Sequence, residues 1–277
     1  MEYIKNFNNY YEETEIGIIL EILNPIRKKE ISKILLFIKD LDEIKFKVVN
    51  IEMLNIRLKW FYDAMENNFN GLKSGYNGVD EIADILQKFE IEKTFILDVI
   101  QSYMMFQNEY LFNNRDDFFE YAKNKYYNLL YIFFKMEAFN KKNFEINLEN
   151  LIFLANKMAV VNLIKTFVYN FNIKGLNNFI YKNDLMFLEK SDENNLAKKN
   201  LLEIIKKLNV YKLNLKLSNL KSNKGFIKFL LSINCYCDFI INSVCKNNNY
   251  LFEGKNKLKW YQILKLLLMV FYYKIYS

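Results

Sequence analysis

Two acidic side chains, Asp42 and Glu43, stand together near the end of a helix that Pro25 is expected to begin. Carboxylate oxygens are the ligands that magnesium prefers, so this cluster is the first candidate for metal chemistry. Residues four apart share one face of a helix, whereas sequence neighbours point in different directions. The residue four positions after Asp42 is Phe46, so the two acids do not form a ligand pair. A solvated helix end is the simpler interpretation.

The sequence contains no histidine. Within this chain, Ser-His-Asp and Cys-His catalysis, an imidazole general base and His-containing metal sites are therefore excluded. Cys235, Cys237 and Cys245 form a Cys-x-Cys pair with a lone third thiol, which lacks a fourth zinc ligand. We interpret them as reduced, buried structural residues of a cytosolic or organelle-matrix protein.

Composition predicts an all-α protein. The 277 residues are 52% hydrophobic, enough to build a core, yet include only 7 Gly and 1 Pro, too few for the turns of an all-β fold. No long linker or internal repeat divides the chain. We expect roughly ten helices in a single domain over residues 1–277.

Helical periodicity places the candidate residues on specific elements. Asn24 and Pro25 are typical of a helix start, and Asn50 is expected to cap the next helix. Further helices are expected over about 79–89, 94–110, 117–136, 148–171 and 258–276, with others after Ser191 and after Gly225. Inward stripes are predicted on the first two helices, at Ile31, Ile34, Leu35, Ile38 and Leu41, and at Met53, Leu54, Leu58, Phe61 and Met65.

The net charge of +7 does not predict nucleic-acid binding, because lysines are scattered among acids and no long basic run occurs. The opening MEYIKNFNNYYEETE resembles neither a signal nor a transit peptide. No apolar run reaches the ~18 residues of a spanning helix. We expect a soluble protein in a cytoplasm or mitochondrial matrix, with peripheral contact to an inner membrane left open. The final apolar helix is interpreted as a core cap or as a membrane-surface contact.

Several segments, in order, resemble the squalene/phytoene synthase family across nearly the whole chain. The resemblance is strongest to the branch that assists assembly of respiratory complex I and is regarded as non-catalytic. It implies an isoprenoid-synthase helical fold. The segments that carry it are IRLKW at 56–60, DFFEYAKNKYYNLL at 117–130, MAVVNLIKT at 158–166, FIYKNDL at 179–185 and LLLMVFYYKIYS at 266–277.

The resemblance also identifies where magnesium ligands would lie in an active member. Two Asp-x-x-x-Asp motifs on facing helices hold the ions that shield and release a prenyl diphosphate. The first falls on Asp42, Glu43 and Phe46, where the second acid is missing. The second falls on Thr166 to Asn170, where both are missing, and the family's preceding Arg is Lys165. We therefore expect no catalytic residue and no metal.

Other family positions are retained. The resemblance assigns Arg57, Trp60 and Tyr121 to matching sites, and we expect Arg57 to pair with a buried carboxylate while Trp60 fills the core. A set of aromatic residues is interpreted as plain core, with the wall of a prenyl tunnel as the alternative: Tyr126, Tyr127, Tyr131, Phe133 and Phe134.

The resulting hypothesis is a non-catalytic protein, without cofactor, that assists complex I assembly through a subunit or an assembly intermediate. One alternative is a magnesium-dependent prenyl transferase that condenses two prenyl diphosphates, with a metal site rebuilt from Asp40, Asp98 or Glu109. Another is a lipid or prenyl carrier with an open apolar cavity and no chemistry. Convergent carboxylates would favour the first alternative, and a continuous cavity would favour the second.

Overall fold

Helices make up nearly all of the regular structure in the computed structural model, and none of the residues that it describes forms a strand. The described residues are 19–23, 25–48, 50–105, 112, 114–139, 147–174, 199–205, 224–246, 262, 265, 267 and 268. The elements used below are α1 (Pro25–Lys47), α2 (Ile51–Phe69), α3 (Asn77–Lys88), α4 (Lys93–Met105), α5 (Arg115–Ala122), a π-helical segment (Lys123–Tyr127), α6 (Asn128–Ala138), α7 (Leu148–Lys174) and α8 (Lys224–Lys246).

Local sequence accounts for where these helices begin. Pro25 is the first residue of α1, where its missing N–H costs nothing. The side chain of Asn50 accepts a hydrogen bond from the Glu52 N–H at 2.7 Å, as predicted for a cap. Asn114 caps α5 in the same way, so this helix begins two residues before the predicted start. The end of the predicted 94–110 helix and most of the 258–276 helix lie outside the described residues, as do residues 175–198.

The helices pack around one cluster of buried apolar residues. The α1 stripe is confirmed, because Ile31, Ile34, Ile38 and Leu41 are buried and Leu35 is partly buried against the same cluster. The α2 stripe is confirmed except at Met53, which is 47% exposed. Helix α2 packs on α1, α3 and α4, while α7 packs on the π-helical segment, α5 and α8. The all-α fold class is therefore correct, and the extent of a single domain over 1–277 stays a prediction.

The loop between α2 and α3 is fixed by one carboxylate. Gly71 and Gly75 adopt φ values of +86° and +75°, a region that favours glycine. Asp80 accepts hydrogen bonds from the Ser74 N–H at 2.9 Å, the Ser74 hydroxyl at 2.7 Å and the Gly75 N–H at 3.1 Å. This loop delivers Tyr76 to the surface between α1 and α2.

Candidate functional site

Asp42, the acid that survives in the first predicted motif, is paired with a buried lysine. The Nζ atom of Lys125 lies 3.0 Å from Asp42 Oδ1. The Lys125 side chain is 3% exposed, whereas that of Asp42 is 36% exposed. The ammonium group therefore lies inside the protein and meets the carboxylate at the protein surface.

The π-helical segment places this lysine. The N–H of Asn128 donates to the carbonyl of Lys123, five residues earlier, which inserts a wider turn between α5 and α6. The segment packs against both α4 and α7. The segment that carries Lys125 therefore contacts α7, which contains the second predicted motif. The Lys125 side chain itself contacts Asp42 on α1, which contains the first predicted motif.

Aromatic rings surround the buried ammonium group. Lys125 Nζ lies 4.1 Å from the centroid of the Tyr103 ring, 5.3 Å from that of Tyr126 and 5.9 Å from that of Tyr121. A cation over an aromatic face is stabilised most when it is removed from water. Tyr103 is itself held in place, because its hydroxyl donates to the carbonyl of Ile38 at 3.3 Å. The rings and Asp42 together offset the cost of burying the charge.

The protonation states of this cluster follow from its surroundings. Burial alone would lower the pKa of Lys125, but the charge of Asp42 and the contacts with Asp42 and Tyr121 raise it above its usual value. Burial, together with the Asp42 charge, raises the pKa of Tyr103 and of Tyr126 well above the usual value. Near neutral pH, Lys125 is therefore a cation and both tyrosines are neutral.

Two of the remaining residues of the predicted motifs, Glu43 and Lys165, have side chains that the structure describes. Glu43 pairs with Lys39 at 3.4 Å along the surface of α1. Phe46 lies in α1 and Thr166 and Asn170 lie in α7, with side chains outside the described residues. Lys165 is exposed, and its Nζ atom lies 5.2 Å from the Tyr236 ring centroid.

Of the acids that could rebuild a metal site, the structure describes Asp40 and Asp98. Asp40 accepts a hydrogen bond from the Tyr76 hydroxyl at 3.2 Å, and Asp98 accepts one from Asn128 at 3.1 Å. Glu109 lies outside the described residues. Among the residues that the structure describes, no group of three or more Asp, Glu or Cys side chains could hold a metal ion.

The structure contradicts the expectation that Trp60 fills the core. Its side chain is 45% exposed and does not fill the core. Arg57 is also exposed, and among the described residues no buried carboxylate pairs with it as expected. The reason lies in the helix geometry: Leu54, Leu58, Phe61 and Met65 form the buried stripe of α2, and Arg57 and Trp60 fall outside it.

The third retained position, Tyr121, and its aromatic neighbours belong to the core. Tyr121 is buried against Phe112 and Tyr126, with ring centroids 5.6 and 6.2 Å apart. Phe133 and Phe134 are buried and each lies 6.3 Å from an aromatic ring of α8. Tyr126 is buried as well, whereas Tyr127 and Tyr131 are only partly buried against the same core. These contacts favour the core interpretation over the wall of an open tunnel.

Sequence reasoning missed the three lysines that are buried in the described part of the chain, Lys125, Lys157 and Lys228. Lys157 on α7 donates to Asp238 at 2.5 Å and to Asn234 at 2.8 Å, both on α8. For Lys125, the sequence signal was its spacing from apolar residues. Tyr121 lies four residues before it and Leu129 four residues after it, which places Lys125 on an apolar helix face. Lys157 likewise interrupts the nearly continuous apolar run of α7. A lysine that interrupts a core stripe needs an acidic partner, but the stripe does not identify it.

The cysteines are free thiols, but only Cys237 is fully buried; Cys235 is half-buried and Cys245 is exposed. The prediction of buried structural cysteines is therefore correct for Cys237 and wrong for Cys245, which lies at the end of α8. Burial raises the pKa of Cys237 to about 12, which leaves almost no reactive thiolate near neutral pH.

A thiol-reactive dye should therefore label Cys245 first, Cys235 slowly and Cys237 only after unfolding. Mass spectrometry of peptides digested after increasing labelling times would give the three rates. Labelling of Cys237 as fast as that of Cys245 in the folded protein would contradict the described packing of α8.

Helix α8 also meets a length and composition test for a membrane span. An 18-residue stretch within Gly225–Lys246 has a mean hydropathy of 1.3, and 61% of that stretch is buried inside the protein. A core helix passes the same test, and the contacts of Phe226, Phe229 and Cys237 place α8 in the core.

Comparison with known proteins assigns the architecture. No protein-family model and no curated protein sequence matches this chain. A dehydrosqualene synthase, solved in complex with a ligand, matches in structure with a TM-score of 0.75 and 14% sequence identity, over 100% of this chain and 99% of the synthase chain. The chain has the isoprenoid-synthase fold. At 14% identity the likeness is one of fold and carries no activity with it.

Proposed function

We propose that this protein is a non-catalytic member of the isoprenoid-synthase fold that assists assembly of respiratory complex I by binding a subunit or an assembly intermediate. The observation that carries the absence of catalysis is the Lys125–Asp42 pair. Its ammonium group lies 3.0 Å from the one acid retained in the first motif. The described residues therefore do not fit a magnesium site.

Electrostatics explains why this arrangement opposes magnesium. A dication about 4 Å from a lysine ammonium would be repelled by roughly 8 kcal/mol at an effective dielectric constant of about 20. A working site overcomes such repulsion with several carboxylates, whereas Phe46, Thr166 and Asn170 supply none. Lys125 also neutralises the charge of Asp42, which would otherwise attract the ion. The Lys125 ammonium group therefore occupies the position next to Asp42 where a metal ion would be needed.

The assembly role is supported by the sequence resemblance to the complex I assembly-factor branch. The retained segments around Arg57, Trp60 and Tyr121 carry that resemblance, while three of the four acids that distinguish active synthases are missing. The proposed location is a cytoplasm or mitochondrial matrix, with peripheral contact to the inner membrane as an open part of the proposal. The proposed partner is a protein, and no nucleic acid is involved.

The first test supplies the purified protein with magnesium and either farnesyl or geranylgeranyl diphosphate. We expect no diphosphate release above that of a protein-free control, with a dehydrosqualene synthase as the positive control. In parallel, deletion of the gene in its source organism should reduce assembled complex I on native gels and leave other respiratory complexes at normal levels.

Each outcome has a defined meaning for the proposal. Magnesium-dependent release that is lost in an Asp42→Asn variant would establish a prenyl transferase. Tight prenyl diphosphate binding without release would establish a carrier. Normal complex I after deletion would remove the assembly role while leaving the absence of catalysis intact.

A further inference from the structure

Helix α1 presents two different faces, and only one of them carries the Lys125–Asp42 pair. Asp40 and Ile44 are four residues apart and share a face, which lies roughly 160–200° around the helix from Asp42. This second face lines a groove between α1 and α2 with a volume of about 450 Å³. We call it the α1–α2 groove, and its lining comprises Asp40, Ile44, Ile56, Arg57, Trp60, Phe61 and Tyr76.

Three aromatic rings give the groove a fixed wall. The Trp60 ring meets Phe61 and Tyr76 edge to face, with centroids 5.0 and 5.9 Å apart, and Phe61 meets Tyr76 at 5.7 Å. Tyr76 is held at both ends, because its hydroxyl donates to Asp40 and its N–H donates to the Ser74 hydroxyl. A wall that is ordered before binding lowers the entropic cost of taking up a partner.

Apolar exposure continues along α2 beside the groove. Met53, Ile56 and Trp60 are 47%, 61% and 45% exposed, and their spacing of three and then four residues places them on one face of the helix. Tryptophan, methionine and arginine are enriched at the centres of protein–protein interfaces. Exposed together along a groove, these side chains have the composition of a binding surface.

The charge in the groove indicates what the partner carries. The carboxylate of Asp40 already accepts the Tyr76 hydroxyl. Arg57 is exposed, and no described residue forms an ion pair with its guanidinium group. A guanidinium group binds a carboxylate through two parallel hydrogen bonds. The complementary ligand is therefore an apolar side chain next to an acid.

We propose that the α1–α2 groove binds a segment of a partner protein, which inserts a large apolar side chain against Trp60, Phe61 and Tyr76 and pairs a neighbouring Asp or Glu with Arg57. The inference rests on the proposed function in one respect, namely that the protein acts by binding another protein. It adds the surface and the chemistry of the bound segment.

The test uses a displayed library of random peptides of about twelve residues, selected on the purified full chain. Enriched peptides should combine a Leu, Ile, Phe or Met with an Asp or Glu at a fixed spacing. Their affinity should fall by at least about tenfold in Arg57→Glu and in Trp60→Ala. Lys199→Glu makes the same change in net charge on another exposed residue, and Leu72→Ser removes another exposed apolar side chain; neither should alter binding.

The other occupants of the groove are distinguished in the same experiment. Enriched peptides that lack acids, or that bind Arg57→Glu as well as they bind the native chain, would overturn the inference. Sedimentation with anionic phosphatidylglycerol vesicles that depends on Trp60, without peptide selection, would overturn it in favour of a membrane surface. Self-association that is lost in Trp60→Ala would overturn it in favour of a second copy. None of these results would restore prenyl transfer, so the inference and the proposed absence of catalysis fail separately.

Discussion

Replacement of Asp42 by alanine should destabilise the folded protein by about 3–5 kcal/mol, because it leaves the Lys125 ammonium group buried without its counter-charge. Lys125 is 3% exposed and cannot recover that interaction from water without moving. The free energy of unfolding from urea titration would measure the loss. For a chain of this size, the melting temperature should fall by roughly 10 °C.

Replacement of Lys125, the other member of the ion pair, should destabilise the protein much less. Lys125→Met keeps an unbranched side chain of similar length among the tyrosine rings and removes the charge. Asp42 remains partly exposed to water, so we expect a change within about 1.5 kcal/mol. The double variant Asp42→Ala/Lys125→Met should be as stable as Lys125→Met alone. The two changes would then couple by the whole cost of Asp42→Ala, about 3–5 kcal/mol.

Glu43→Ala is the matched control for Asp42→Ala. Glu43 is the next residue on the same helix and pairs with Lys39 near the surface, so its removal should cost about 0.5 kcal/mol. Equal losses for the Asp42 and Glu43 variants would contradict a buried ion pair at Lys125. A Lys125→Met variant that fails to fold would contradict the expected asymmetry.

Asp80→Ala is expected to have the second-largest effect, at about 3 kcal/mol. The carboxylate accepts from both the N–H and the hydroxyl of Ser74, from the Gly75 N–H, and from the Asn68 side chain at 2.5 Å. Asn68 is buried, and its Oδ1 atom already has no hydrogen-bond partner among the described atoms. Loss of Asp80 would leave its Nδ2 group unpaired as well, at a cost of about 1–3 kcal/mol for that group alone.

Asp84→Ala on the same helix provides the control. Asp84 pairs with Lys73 at an exposed position, so its removal should cost no more than about 1 kcal/mol. Urea titration of both variants would measure the difference. An Asp80 variant as stable as the Asp84 variant would show that the loop does not depend on this carboxylate.

Acid titration gives a second readout for Asp80. Burial on its own would raise the pKa of Asp80, but hydrogen bonds from Ser74 and Gly75 and the charge of Lys73 lower it below the usual 3.8. The stabilisation is therefore present above that pH and is lost as the pH falls through the lower pKa of the folded state. Asp80→Ala should remove this part of the acid dependence, whereas Asp84→Ala should retain it.

The sequence predicted the helices well because their determinants are local. Pro25 and Asn50 mark helix starts, and the stripe from Ile31 to Leu41 reports the buried face of α1 within a few turns. The ion pairs Lys125–Asp42 and Lys157–Asp238 were not predictable in this way, since the two members of each pair lie 83 and 81 residues apart in the chain. An interrupted stripe shows that a lysine is buried, but only the packing of helices selects the acid.

The errors at Met53 and Trp60 have a related cause. Both residues are large and apolar, and hydrophobicity alone predicts burial for them. In the structure, one face of α2 packs on the core and the other lines the α1–α2 groove, so the two residues lie beside a surface that the described residues leave uncovered. Burial against a partner and burial within the chain produce the same sequence pattern.

The π-helical segment affects how this chain is aligned with others. The wider turn at Lys123–Tyr127 contains one residue more than an α-helical turn of the same axial length. Relative to a regular helix, α6 is therefore shifted by one residue in sequence with respect to α5. An alignment with a relative whose helix is regular must therefore open a one-residue gap within this segment. Without that gap, either Tyr121 or Asn128 is matched to the wrong residue, and the relative's counterpart of Lys125 is misassigned.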